Sequence, residues 1–210
     1  MTCPLCLSNN IQPYYHDKNR DYWQCQHCQL VFVSTKQRLS VQAEKAIYDQ
    51  HQNSPEDSGY RWFLNKLLIP LMQKLESNSM GLDFGSGPGP TLSIIMAEHG
   101  YQMVDFDIFY ANHPELLNYK YDFITCTEVI EHLYHPHQEL IRISNMLKPK
   151  GLLGIMTKRL INKDKFKTWH YKNDPTHVCF YSDYTMEYIA HQWNYELEII
   201  NSDTVIMQLR

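Results

Sequence analysis

The sequence predicts an α/β fold: a mostly parallel sheet with an antiparallel last strand, covered by helices and preceded by a small N-terminal ribbon. Three observations carry this. From residue 60 onward, apolar runs of strand length alternate with stretches of helical period, the order that builds parallel sheets. The stretch Leu82-Asp83-Phe84-Gly85-Ser86-Gly87-Pro88-Gly89-Pro90 joins one such strand to a helix through three closely spaced glycines. Four of the six cysteines fall in two Cys-x-x-Cys pairs near the N-terminus.

Composition sets the outer bounds. With 210 residues, 43% apolar and 20% charged, the chain has enough material for one main domain plus an appendage. No window approaches a membrane span. The start, Met-Thr-Cys-Pro-Leu-Cys, has neither the basic residues nor the apolar run of a secretion signal, so a soluble, cytoplasmic protein with no membrane contact is expected. A net charge of −4 argues against wholesale nucleic-acid binding and leaves room for a local basic patch.

Residues 1–33 carry Cys3-Pro4-Leu5-Cys6, then 18 residues, then Cys25-Gln26-His27-Cys28. Two such turns at this separation are the sequence form of a zinc ribbon, in which Cys3, Cys6, Cys25 and Cys28 close a tetrahedron around Zn²⁺. Redox use of a pair and rubredoxin-like iron are the competing readings. So small a segment has little core, and the metal would supply much of its stability. Cys126 and Cys179, in apolar contexts, read as buried small hydrophobes.

Residues 34–59 are polar and read as a helix and loop linking the ribbon to a domain over 60–210. Leu64, Leu67, Leu68, Leu71 and Leu75 mark an amphipathic helix, kinked or restarted at Pro70. A strand over 80–84 enters the glycine loop. Pro90 suits the first turn of a helix over 91–99 that Gly100 stops, with Leu92, Ile95 and Met96 on its buried face. A second strand, 101–106, ends at Asp107. The next strand, 121–127, leads through Glu128-Val129-Ile130-Glu131-His132-Leu133 into a helix through Leu140, Ile143 and Leu147, stopped by Lys148-Pro149-Lys150-Gly151. Then come a strand over 152–157, a basic and aromatic segment, a helix near 183–193, and a closing hairpin of 195–200 and 204–209 around Asn201-Ser202-Asp203.

A dinucleotide fingerprint requires Gly-x-Gly-x-x-Gly, but here Pro90 stands at the third position and Gly89 gives Gly-x-Gly-x-Gly. On Asp83 with Gly85, Gly87 and Gly89, the chain resembles the class I S-adenosylmethionine-dependent methyltransferases, whose sheet is Rossmann-like. The resemblance covers about residues 60–210. It implies that Asp83, Gly85, Gly87 and Gly89 bind the cofactor and that Asp107 holds both ribose hydroxyls. It further implies that Glu128 lies beside the methionine end and that the terminal hairpin supplies the reversed last strand. Only 14 residues separate Asp107 from Asp122, so the edge strand of the family is missing or reduced to a few residues around Asn118-Tyr119-Lys120.

Methyl transfer to a hydroxyl or an acidic carbon needs a base, and His132 and His177 are the candidates, both expected at the carboxyl edge of the sheet. Glu128-x-x-Glu131-His132 with His177 also resembles the divalent-metal site of small-RNA 2′-O-methyltransferases and ubiquinone-pathway O-methyltransferases, which implies a possible second metal there. His135 and His137 are expected to face solvent. Lys158, Arg159, Lys163, Lys165, Lys167 and Lys172, interleaved with Phe166, Trp169 and Tyr171, read either as a solvated loop or as the contact for an anionic substrate: a small phosphorylated metabolite, a nucleotide-linked sugar or RNA. A reading from another class stays open, a catalytically weak zinc-ribbon adaptor that binds nucleic acid or protein. Neither substrate nor oligomeric state follows from the sequence.

Overall fold

The computed structural model describes residues 1–50 and 53–210; of the predicted connection 34–59, residues 51 and 52 lie outside the described residues. Among the described residues, sixteen strands and helices follow the chain order. They are β1 (Ile11–His16), β2 (Asp21–Cys25), β3 (Val31–Val33), α1 (Val41–Tyr48), α2 (Ser58–Met72), β4 (Met80–Phe84), α3 (Thr91–Glu98), β5 (Gln102–Phe106), β6 (Tyr121–Thr127), α4 (Pro136–Met146), β7 (Leu147–Met156), α5 (Lys163–Thr168), β8 (Cys179–Phe180), α6 (Asp183–Gln192), β9 (Tyr195–Ile199) and β10 (Thr204–Leu209).

The larger sheet has the order β5-β4-β6-β7-β10-β9. Strands β5, β4, β6 and β7 are parallel, and β10 pairs antiparallel with both β7 and β9. The central strands are apolar on both faces because helices cover both. On one side Leu64, Leu67, Leu68 and Leu71 of α2 and Leu92, Ile95 and Met96 of α3 pack on Phe123, Leu152, Met156 and Ile206. On the other, Leu140, Ile143 and Met146 of α4 and Met186 and Ile189 of α6 pack on Leu82, Ile124, Leu153 and Val205, and this core is continuous with Leu5, Leu30 and Phe32 of the ribbon. Gly81 lets the ring of Phe123 cross β4, since a Cβ there would lie 2.2 Å from it.

Three sequence expectations are corrected. Of the two outcomes expected at Pro70, a restart is not seen: α2 runs on through it to Met72, so the hydrogen bond that the proline cannot donate is lost only in the last turn. The helix through Leu140 and Ile143 stops where expected, just before Lys148-Pro149-Lys150-Gly151, but it ends at Met146, so Leu147 already opens β7, and 148–151 form an irregular start to a strand expected only from 152. There Lys148 Nζ is held 2.9 Å from both oxygens of Asp122, whose carboxylate also accepts from Met80 N–H at 2.9 Å. Third, His137 does not face solvent. Its Nδ1 lies 2.8 Å from the Leu5 carbonyl and its backbone N–H donates to Pro4, so it docks the first cysteine turn onto α4.

Between Asp107 and Tyr121 the chain forms one 3-10 turn, Pro114–Asn118, and no strand; β5 is the edge of the sheet. A second sheet, β1-β2-β3-β8, draws its last strand from the segment after β7, with Phe32 opposite Cys179. Between this sheet and α5 lies a third core of Tyr14, Tyr22, Phe166, Tyr171 and Phe180. Among the described residues no helix is long and apolar enough to cross a membrane.

Candidate active site and the four-cysteine centre

Strand β4 delivers the chain to the carboxyl edge of the sheet, where it turns through Gly85 at φ +86° and Gly87 at φ +67°. Both angles lie in the left-handed region that costs other residues energy. Space also matters: a Cβ on Gly85 would lie 2.5 Å from Val129, and one on Gly89 would lie 2.1 Å from the Asn53 carbonyl. That carbonyl accepts from Thr91 Oγ1 at 2.9 Å, so the chain entering α2 passes directly against the loop.

Two acidic residues frame it. Asp107 Oδ2 accepts from Gly87 N–H at 3.0 Å, while Oδ1 accepts from Phe109 and Tyr110 N–H at 2.7 and 3.1 Å, which fixes the carboxylate against the glycine loop. Asp83 is buried at the end of β4 and accepts from Thr125 Oγ1 at 2.7 Å. Burial pushes its carboxyl up to about 7, against the Thr125 hydrogen bond and with help from the charges of Asp105 and Asp107.

The end of β6 supplies the next group. Glu128 adopts φ +53°, a conformation that an L-residue keeps only where its surroundings impose it, and its N–H donates to Met156 at 2.8 Å. Burial raises its carboxyl to about 7, opposed by the Tyr171 hydroxyl and by Lys158. Tyr171 links two carboxyls: its hydroxyl bonds to Glu131 Oε1 and lies 3.3 Å from Glu128 Oε2. Glu131 is fully buried, and its second oxygen has no hydrogen-bond partner among the described residues.

Ligand atoms of Glu131, His132 and His177 lie within 4.8 Å of one another; Glu128, expected with them, is not part of that group. The imidazole rings of His132 and His177 meet edge to face at 4.7 Å. His177 Nδ1 is 2.7 Å from the Tyr171 carbonyl and His132 Nδ1 is 3.2 Å from the Thr176 carbonyl. A carbonyl only accepts, so Nδ1 carries the proton in each neutral ring and Nε2 is the basic nitrogen. Burial lowers the pKa of His177, partly countered by Asp174.

Two residues at this site were not expected from the sequence. Tyr48 of α1 packs edge-on against His132 at 5.4 Å. Tyr60 is close enough to Asp83 and Glu128 for their charges to add to the effect of burial, and its hydroxyl pKa rises to about 12. No local pattern could have revealed either, since each is brought in by packing from a distant helix.

The basic segment divides into separate roles. Arg159 pairs with Asp183, Lys167 with Asp164 and Lys172 with Asp17. Lys158 stands 3.1 Å from His170 and over the ring of Tyr171. Lys158, Arg159 and Lys163 line a cleft of about 950 Å³ that faces Gln12, Gln24 and Trp169 and opens between the β1–β2 hairpin and the segment after β7.

Cys3, Cys6, Cys25 and Cys28 come together with all sulfurs within 4.8 Å of one another. The pairs Cys3–Cys28 and Cys6–Cys25 are 3.5 and 3.3 Å apart, close to the ~3.8 Å edge of a tetrahedron with Zn–S bonds of about 2.3 Å. Such crowding opposes the ionisation of more than one thiol: Cys28 is raised by its bond to Cys3 and by burial, and burial lifts Cys6 to about 12. A cation reverses that balance, so the donor set fits a thiophilic metal.

Comparison with known proteins places this geometry. The family described as "Methyltransferase domain" matches residues 56–199. A ubiquinone biosynthesis O-methyltransferase of Glaesserella parasuis is 40% identical over 57 residues, 27% of this chain and 24% of that protein, so the match spans about a quarter of the curated relative. Among solved structures, a SAM-dependent methyltransferase from Archaeoglobus fulgidus superposes with a TM-score of 0.54 at 14% identity, covering 71% of this chain and 99% of that one. Magnesium protoporphyrin IX methyltransferase from Synechocystis PCC 6803, solved with bound SAH, gives 0.53 at 12% identity, covering 72% and 84%. These likenesses show the fold.

The raised carboxyl of Asp83 has a consequence for stability. Its folded-state pKa exceeds the unfolded value, so the native state is penalised as the pH rises from about 4 through about 7. Asp83→Asn removes that dependence. Between pH 5 and pH 8 the variant is expected to gain stability relative to the parent by an amount on the order of a few kcal/mol, read as a shift in urea midpoints. A constant difference across that range would show that Asp83 is ionised at no cost.

Proposed function

Since the chain belongs to the methyltransferase-domain family, we propose that it transfers the methyl group of S-adenosylmethionine to a polar acceptor bound beside His132 and His177. The observation that carries this reading is the glycine loop itself: Gly85 and Gly87 at positive φ, no room for a side chain at Gly85 or Gly89, and Asp107 tied to Gly87 N–H. Asp107 would hold the ribose hydroxyls with the remaining lone pairs of its carboxylate. Asp83 and Glu128 border the loop on either side.

When bound, S-adenosylmethionine supplies an electrophilic sulfonium methyl. The chain's part is to align the acceptor and take its proton. His177 Nε2, with Nδ1–H committed to the Tyr171 carbonyl, is the base, and His132 is its neighbour at the same edge. The lowered pKa keeps His177 in its neutral form near pH 7, with the Nε2 lone pair available to take a proton. The cleft beside Lys158 would receive the rest of the acceptor; with Arg159 paired to Asp183, its cations Lys158 and Lys163, with Trp169, are what would meet an anionic metabolite, nucleotide-linked sugar or RNA end. The four cysteines would hold Zn²⁺ as a structural ion.

The unpartnered Glu131 Oε2 favours a second reading of the same residues, in which Glu131, His132 and His177 hold a divalent ion that polarises an acceptor hydroxyl.

Isothermal calorimetry tests the first claim. The folded protein is expected to bind S-adenosylmethionine, and Asp107→Ala to weaken it at least about a hundredfold while leaving the circular dichroism unchanged. A folded protein that binds none would instead support the adaptor reading. For the second metal, Co²⁺ added to the zinc-loaded protein should produce visible ligand-field bands that disappear in His177→Ala, without the thiolate charge-transfer bands that exchange into the cysteine centre would bring. If no such bands appear, the histidines act as bases alone.

A further inference from the structure

The ribbon reaches the candidate site chiefly through a buried arginine, beside which the Tyr22 hydroxyl donates to the Lys172 carbonyl at 3.2 Å. Arg20, just before β2, is 7% exposed, and its guanidinium donates to four backbone carbonyls of the turn that leads into β8. Nη1 reaches Pro175 at 3.3 Å and His177 at 2.8 Å; Nη2 reaches Asp174 at 2.8 Å and also Lys172. Gathering four convergent carbonyls suits a planar fork with several fixed donors, and no other side chain offers one.

Asp17 secures both partners. Its Oδ1 accepts from the N–H groups of Asn19 and Arg20 at 2.9 and 3.0 Å, and its Oδ2 takes Lys172 Nζ at 2.7 Å. Strand β3 adds a second grip. Val33 N–H donates to the Val178 carbonyl at 2.9 Å, and Val178 N–H donates to the Glu131 carbonyl at 2.8 Å, so a hydrogen-bonded line runs from the ribbon to the segment carrying His132.

The turn held in this way carries what orients both histidines. It contains His177 itself, and its Thr176 carbonyl faces His132 Nδ1 at 3.2 Å. Arg20 immediately precedes β2, whose last residue is Cys25, so the cysteine centre fixes the far end of the strand that presents Arg20.

We infer that Arg20 is a positioning residue for the candidate site, and that the metal state of the four-cysteine centre sets the order of the 172–178 turn through it. Arg20 touches no reacting atom. Its meaning for methyl transfer rests on the histidine reading given under Proposed function; the coupling itself is independent of that reading.

Amide hydrogen exchange on the full-length, zinc-loaded protein tests the coupling. Thr176, His177 and Val178 N–H groups are hydrogen-bonded to Asp174 Oδ1, the Asp174 carbonyl and the Glu131 carbonyl, so their exchange reports the order of the turn. In Arg20→Gln these three amides are expected to exchange roughly ten- to a hundredfold faster, with Leu82, Phe123 and Ile124 in the sheet unchanged. Arg20→Lys, which keeps the charge but not the fork, should fall between, and it serves where the glutamine variant does not fold. Stripping the zinc should accelerate the same three amides. Unchanged exchange at 176–178 in the variants or after zinc removal overturns the inference, as does acceleration spread evenly through the sheet. Calorimetry with S-adenosylhomocysteine on the same samples keeps the two readings apart: failure of the parent to bind overturns methyl transfer, while the exchange rates decide the role of Arg20 in either case.

Discussion

The pairing register of the large sheet sets out everything the site uses. Asp83 of β4 lies opposite Asp105 of β5 on one side and Thr125 of β6 on the other, and Thr125 lies opposite Gly154 of β7. With these rows level, the parallel strands end together. The glycine loop, Asp107, Glu128 and the segment after Met156 therefore leave from one edge. A slip of one residue in any of these pairings would exchange the side chains packed under α2 and α3 with those packed under α4 and α6, so the fit of the two cores enforces the register. The site is a consequence of the way the core closes.

That edge concentrates carboxyl groups in low-dielectric surroundings. Asp83, Glu128 and Glu131 are all pushed upward by burial, and each has a hydroxyl donor beside it: Thr125 for the first and Tyr171 for the other two. Such an arrangement costs stability and is typical of places where charge is handled. Left-handed φ at Glu128 belongs to the same pattern. The ribbon, for its part, is not suspended from the domain. Its third strand pairs with β8, its apolar residues join the core over α4 and α6, and His137 and Arg20 tie each end of it down. A segment with so little core of its own gains stability both from the metal its cysteines suit and from this docking.

Much of the large sheet was legible because its signals are local. β4, β6 and β10 fall within a residue of the expected runs, and Gly85, Gly87 and Asp107, singled out by the motif, lie together, with Gly87 N–H donating to Asp107. What was not legible depends on distance along the chain. Arg20 and the turn it holds are more than 150 residues apart in sequence, and β8, two residues long, has no periodicity to read. The roles within the basic run were hidden for a related reason. Spacing cannot show that Arg159, Lys167 and Lys172 are taken by Asp183, Asp164 and Asp17, or that Lys158 reaches His170 and the ring of Tyr171. Lys148-Pro149-Lys150-Gly151 marked the helix end, but its proline and glycine hid the start of β7, which pairs Leu147 with Tyr121 across an irregularity before Leu152.

The most direct measurement is a crystal structure of the protein with S-adenosylhomocysteine. Ribose hydroxyls on Asp107, the glycine loop closed over the ligand, and the sulfur beside Glu128 on the side of His132 and His177 are the predicted result. A ligand held away from Asp107, or a sulfur directed away from the two histidines, would contradict the account.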